Sequence, residues 1–258
     1  MARDPGDGGL PPTPPLLPKG IGDILNAAFR LYKENWQGFF AIVAVVAVPL
    51  TLLEFLLIDV SFKSGTFGRA AFGGALATLA SVLIYGLLAG AMGRAAIGSI
   101  VGMPVSVNES VNYGLARFGP ILWVGFLFGL AVFVGFFAVI IGAVIVAVKL
   151  AVSVPVLIVE DRRGTQALSR SWDLTTGHFW HVLGTVFVAG IITRLVSAIL
   201  QAPFAGSGWV GPGIGASVAQ VVTAPFTAIV SILVYLDLRA RKESLTSDGL
   251  RAELARSA

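Results

Sequence analysis

The sequence predicts an all-α integral membrane protein with six transmembrane helices and three amphipathic helices on the cytoplasmic face. Three observations predict it. Hydrophobic residues fill 56% of the 258 positions and charged residues only 12%, about half the charge of an ordinary soluble domain. The mean hydropathy is +0.86. Apolar runs recur along the chain, each able to supply the ~20 residues that a helix needs to cross a bilayer. A soluble fold of this size cannot hide so much apolar surface, and a chain this rich in aliphatic side chains does not stay disordered. The absence of cysteine excludes disulfides and thiolate chemistry.

The elements follow in order. Residues 1–19 hold six of the 13 prolines and read as a disordered, Pro-rich cytoplasmic tail, whose Pro11/Pro14 spacing also fits a docking ligand. Residues 20–239 read as the membrane domain and 240–258 as a cytoplasmic C-terminal tail. Over 21–36, Ile21, Ile24, Leu25, Ala28, Tyr32 and Trp36 share one helical face, as in a helix lying in the membrane interface. Spans one and two are 39–58 and about 72–92. Ser106 and Glu109 form a capping box that opens a second amphipathic helix, with Val107, Val111, Gly114, Leu115 and Phe118 on its apolar face. The stretch 121–159 is 39 residues with one charge, Lys149. As one helix it would be roughly 58 Å long, so it reads as spans three and four, turning near Gly142. Span five is about 179–202 and span six about 218–238, joined by an uncharged Gly-rich connector at 206–215. Residues 29–36 (FRLYKENW) resemble 172–179 (WDLTTGHF), each just before an odd-numbered span. This gives three units, each an amphipathic helix followed by a helical hairpin.

Charge sets the orientation. One side of this plan carries Arg3, Lys19, Arg30, Lys33, Arg94, Arg117, Arg162, Arg163, Arg170 and five cations after span six. The other side carries only Lys63 and Arg69. The positive-inside rule places both termini in the cytoplasm of a multi-pass protein of the cell membrane. The net charge of +4 is then loop charge that orients the chain, and nucleic acid is not an expected partner. Membrane lipids and other membrane proteins are.

Glu54, Lys149 and Arg194 are embedded in the spans at comparable depth. Ionisable groups in lipid pair with one another or mark a pathway, so the three read either as a structural cluster or as an ion or ligand site. Arg30, Lys33, Arg162, Arg163 and Arg170 are candidate contacts to anionic headgroups. His178 and His181 share a helix face but lack a third ligand, so they read as interfacial anchors, and no metal or cofactor is expected. Gly86/Gly90 and Gly125/Gly129 are small-residue pairs that allow helices within the chain to approach. Pro49, Pro155 and Pro225 interrupt spans one, four and six.

The segments IGDILNAAFRLYKENW (21–36) and ALSRSWDLTTGHFWHVLG (167–184) resemble the membrane-domain family of bacterial glycerophosphoryl diester phosphodiesterases. The resemblance runs over about 20–239. It implies a six-helix membrane module. It does not bring phosphodiesterase activity, which needs a separate soluble barrel with His, Glu and Asp positions. The expected function is a non-enzymatic scaffold, or a binder of lipid or another amphiphile. The alternative is a small transporter or permease component that uses Glu54, Lys149 and Arg194.

The charge asymmetry makes a topological prediction. In this cysteine-free chain, a cysteine placed at Ser247 is labelled only after the membrane is permeabilised, and one placed at Gly142 is labelled from outside intact cells. Labelling of the Ser247 position from outside would overturn the orientation.

Overall fold

The computed structural model describes residues 20–63, 67–137, 140–204, 206, 211–243 and 250, and among these the side chains of 48–63, 67–75, 77–81, 84, 136, 137, 140, 141 and 212 lie outside the description. The expected tail at 1–19 also lies outside it. Among the described residues the regular structure is helical and contains no strand. The helices are α1 (Ile21–Lys63), α2 (Phe67–Ile100), α3 (Val107–Ala116), α4 (Phe118–Phe137), α5 (Ile140–Lys149), α6 (Ser153–Glu160), α7 (Thr165–Thr175), α8 (Phe179–Gln201) and α9 (Gly211–Glu243).

Four segments among the described residues are long and apolar enough to cross a membrane, not six: Phe118–Gly135, Gly142–Glu160, Phe179–Phe204 and Gly213–Glu243. The other two expected spans fall in α1 and α2, where the side chains of 48–63, 67–75, 77–81 and 84 are outside the description. α8 starts and ends where span five was expected. α4 ends at Phe137 and α5 begins at Ile140, a few residues before Gly142, and residues 138–139 lie outside the described residues. α9 begins at Gly211, so half of the expected Gly-rich connector is helix; Pro212 suits a first helical turn, where its missing N–H costs nothing. α9 also runs past 239 to Glu243.

α1 is two helices joined at Asn35, whose φ of −121° and ψ of 17° leave the helical region. The Asn35 side-chain amide turns back at the kink and donates to the Leu31 carbonyl one turn earlier, at 3.1 Å. The segment before the kink was expected to lay its apolar stripe in the headgroup layer. Instead the stripe packs on protein from Ile24 to Tyr32, and only its end at Trp36 is exposed. Ile24 and Ala28 are fully buried. The Phe29 ring lies 4.7 Å from that of Phe226, and the Tyr32 hydroxyl donates to the Val222 carbonyl of α9. α3 begins as its sequence asks: the Ser106 side chain accepts from the Glu109 N–H. The reciprocal half of the capping box is absent, because the Glu109 carboxylate is taken by Arg94.

The Gly86/Gly90 pair works within the chain. A Cβ on Gly90 would lie 2.6 Å from Ile121 Cδ1 and 2.9 Å from the Gly114 Cα, so only glycine lets α2 approach α3 and α4 so closely. Gly125 and Gly129 meet no such neighbour.

The fourth expected span is broken at 150–152 into α5 and α6. Pro155 has no N–H for the Ala151 carbonyl, and Ser153 N bonds Leu150 O rather than Lys149 O. The Lys149 carbonyl is therefore left free, and α7 answers it: Ser171 Oγ donates at 2.9 Å, and the Thr175 hydroxyl is also in reach at 3.1 Å, its one proton shared with the Ser171 and Trp172 carbonyls at 2.9 and 3.0 Å. α7 turns this face inward, with Ala167, Ser171, Leu174 and Thr175 buried. α6 lies in the centre, where Pro155 to Val159 are all buried. Gly164 starts α7 at φ 56°, ψ −129°, and a Cβ there would meet Trp123 Nε1 at 3.1 Å.

Joint replacement of Ser171 by Ala and Thr175 by Val removes both donors. It lowers stability by roughly 2 kcal/mol, the cost of a buried acceptor left without a partner. Unfolding in detergent measures it, and an unchanged midpoint would show that the hydroxyls do not hold the break.

Candidate functional site

Of the three embedded residues, the side chains of Lys149 and Arg194 are described. Lys149 is the last residue of α5, and the break behind it aims its side chain at α7. Its Nζ donates to Thr176 Oγ1 at 2.8 Å and sits 5.3 Å from the centre of the Trp172 ring. Arg194 is exposed on α8, which corrects the interior position expected for it. Glu54 lies in α1, and its side chain is outside the described residues. Of the candidate headgroup contacts, Arg30 and Lys33 are exposed, and Arg162 and Arg163 are at least half exposed. Arg170 is not available to a headgroup, because it is paired inside the protein.

Its partners form a network that the sequence reading missed. Arg170 Nε donates to both oxygens of Glu160, at 3.1 and 3.0 Å, and its guanidinium also reaches Glu243. The Tyr235 hydroxyl donates to Glu160 Oε1 at 3.0 Å and accepts from Arg239 Nη1 at 3.2 Å. Arg239 Nε bonds Glu243 Oε2 at 2.7 Å. Tyr235 is fully buried, and the Glu160 and Arg239 side chains are 10% and 8% exposed. The ends of α6 and α9 are thus clasped to α7. The i,i+4 pairs Arg239/Glu243 and Asp237/Arg241 on α9 were a readable signal. Glu160 and Tyr235 join only through the fold.

Two further charge groups flank this clasp. Asp237, whose side chain is 1% exposed, accepts from Arg241 Nε at 2.7 Å. His181 Nε2 lies 3.0 Å from the same carboxylate but off the hydrogen-bond direction. Arg94 and Arg117 pair with Glu109 and Asp161, and both guanidiniums lie over the Tyr113 ring. Burial pushes the Tyr113 phenol above its ordinary value, against the adjacent Arg117 and Arg94 charges. It stays a neutral donor, bonding the Ile158 carbonyl at 2.9 Å near the end of α6. Among the described residues no three His, Cys, Asp or Glu side chains come together as metal ligands.

Beyond the clasp, α2, α6, α8 and α9 enclose a cleft of about 570 Å³. It follows α9 from Ala216 to Ile232, about 24 Å of helix. Tyr85, Gln201 and Ala216 form one end; Gly93, Ile158 and Ile232 form the other, next to the clasp. A second cavity of about 470 Å³ lies on the other side of Ala151, Val154, Thr227 and Ser231, which line both. Its far wall is apolar, built on Val124, Phe128 and Val148. The break at 150–152 is therefore a partition between two cavities.

The similarity to known proteins falls on part of the chain, which supplies most but not all of the cavity walls. Residues 126–236 match the family model for the membrane domain of glycerophosphoryl diester phosphodiesterase. No curated protein and no solved structure matches the chain. The matched membrane domain runs from α4 into α9. It contains Lys149, Glu160, Arg170 and Tyr235 but not Arg239 or Glu243. The block at 167–184, which carried the resemblance in the sequence, lies inside the match, and the block at 21–36 lies outside it.

Breaking a buried ion pair from one side costs roughly 3–5 kcal/mol, whereas an exposed pair is worth about 0–1 kcal/mol. Glu160→Gln therefore lowers stability by roughly 3 kcal/mol, and Glu109→Gln, at an exposed carboxylate, by less than about 1 kcal/mol. Paired unfolding curves in one detergent test this. Equal effects at the two positions would remove the clasp from the account of stability.

Proposed function

We propose that this chain is a non-catalytic membrane module that holds an amphiphile in the cleft between α2, α6, α8 and α9, with both termini in the cytoplasm. The observation that carries the reading is the cleft itself. Its volume is in the range of small-molecule sites, roughly 300–1,000 Å³. It runs alongside three of the segments apolar enough to span a membrane, so its opening is within reach of lipid. The charge clasps at the ends of α6 and α9 give the module a rigid cytoplasmic side, which also suits a scaffold. The family match supports a membrane module and nothing narrower.

The transporter alternative has one observation in its favour. A span broken near its middle is how many transporters expose backbone to a substrate. Against it, Lys149 and Arg194 are absent from the residues lining either cavity, and Lys149 is engaged by α7.

The test is native mass spectrometry of the whole protein released from mild detergent, with the bound lipids identified. Wild type should carry a stoichiometric amphiphile. Ala224→Trp, which fills the middle of the cleft, should lose it while keeping its unfolding midpoint within a few degrees. The same bound lipid in both proteins would overturn the assignment of the cleft.

A further inference from the structure

The cleft sorts its polar groups by position. Tyr85, Gln201, Ser197 and Gln220 gather towards the end near Ala216, and Ser231 lies deeper, beside Ile232. None of these five side chains makes a hydrogen bond to the protein among the described residues. The threonines on the same wall differ: Thr223 bonds the Ala219 carbonyl at 2.8 Å and Thr227 the Thr223 carbonyl at 3.1 Å, both within α9. The threonine hydroxyls along the wall are thus satisfied by their own helix, whereas Ser231 at the deep end and the larger set of amides and hydroxyls towards the Ala216 end are left for something else. In hydrocarbon a polar group without a partner is costly. Tyr85 and Gln201 are exposed, whereas Ser197 and Gln220 are half-buried, so the polar set runs from the mouth inwards.

Charge is the second constraint. Among the described residues no Asp, Glu, Lys, Arg or His lines the cleft. The charged groups nearest in sequence, Glu160 and Arg94, are consumed by Arg170 and Glu109. Among the residues lining the cleft an ionised head would meet no counter-charge, the nearest cation on α8, Arg194, being exposed outside the lining, and an unpaired charge in an apolar site is expelled or neutralised. Amide and hydroxyl groups can both donate and accept, so they match an uncharged head bearing hydroxyls or an amide. Shape is the third. About 24 Å along α9 within about 570 Å³ describes a narrow channel, which takes one extended chain rather than two side by side.

Resting on the reading of the cleft as a binding site, we propose that its ligand is a single-chain amphiphile with an uncharged, hydrogen-bonding head. The head lies at Tyr85, Gln201 and Gln220, and the chain runs inwards towards Gly93, Ile158 and Ile232.

The experiment titrates the full-length protein, in nanodiscs of neutral lipid, with three probes of equal chain length: monooleoylglycerol, oleyl sulfate and oleyl trimethylammonium. Occupancy is read by native mass spectrometry. Monooleoylglycerol should bind at least tenfold more tightly than either charged probe. The double variant Gln201→Leu/Gln220→Leu should lose that preference while its unfolding midpoint is kept. Equal or tighter binding of a charged probe overturns the uncharged head. An unaltered preference in the double variant overturns its placement. If no probe binds above bulk lipid and Ala224→Trp changes nothing, the cleft is not a binding site and the broader reading falls with this one. Loss of all probes in Ala224→Trp with no preference among them in wild type would sink the ligand class and keep the site.

Discussion

A backbone carbonyl inside a bilayer must find a donor, and the break at 150–152 leaves two in want of one within the segment Gly142–Glu160. Much of the fold follows from that shortage. Pro155 deprives Ala151 of its usual partner, the local turn redirects the Ser153 N–H to Leu150, and Lys149 O is freed. Ser171 and Thr175 answer it from α7. A surface helix is thereby fastened to the middle of the bundle, α6 is set off as a buried core piece, and the Lys149 amine is delivered to Trp172 and Thr176. The bend also leaves Ala151 and Val154 standing between two cavities. A continuous helix here would need no hydroxyls from α7 and would place Lys149 differently.

The second anchor of α7 is ionic. Arg170 holds Glu160 and Glu243 together, and Tyr235 and Arg239 complete the set. Buried ion pairs add little net stability compared with well-packed apolar groups, yet are costly to break from one side. Their effect is therefore on arrangement more than on total stability. They specify which end of α9 meets which end of α6, something the uniformly apolar surfaces of those helices leave open. One helix is thus held at two points by two unlike interactions, hydroxyls on a carbonyl and a guanidinium on carboxylates.

Local features were legible in the sequence and long-range ones were not. The limits of α8 and the Ser106 cap depend on residues within a turn or two of each other, and periodicity and capping chemistry expose them. Pro155 was visible as an interruption, but its consequence depends on two hydroxyls more than twenty residues later. Arg170 was read as a headgroup contact because it lies in a basic, aromatic segment; nothing local points to Glu160 and Glu243 as its partners. The stripe over 21–36 showed that a face would be buried but not whether lipid or α9 would bury it, since the two are equally apolar. Comparable depth suggested that Lys149 and Arg194 would meet, yet depth is one coordinate of three, and the bend in the fourth expected span rotates Lys149 away. The cleft depends on which faces of α2, α8 and α9 are left without a neighbour, and no single segment carries that.

The position of the clasp bears on what the cleft can do. Its closed end, at Gly93, Ile158 and Ile232, abuts the segment in which Glu160 and Tyr235 are tied to Arg170 and Arg239. A passage through that end would separate α6 from α9 and leave buried charges without partners, at a cost of roughly 3–5 kcal/mol. At 1.4 kcal/mol for each factor of ten, such an opening is populated at about one part in a hundred to one part in a few thousand. Conduction would need a ligand that binds the opened form better by at least that margin, and a cleft without charged lining offers no strong differential contact to supply it. The other end has no such closure. A molecule that enters beside Tyr85 and Gln201 reaches a wall that the protein's own electrostatics hold shut. The geometry accordingly favours holding an amphiphile over passing it on.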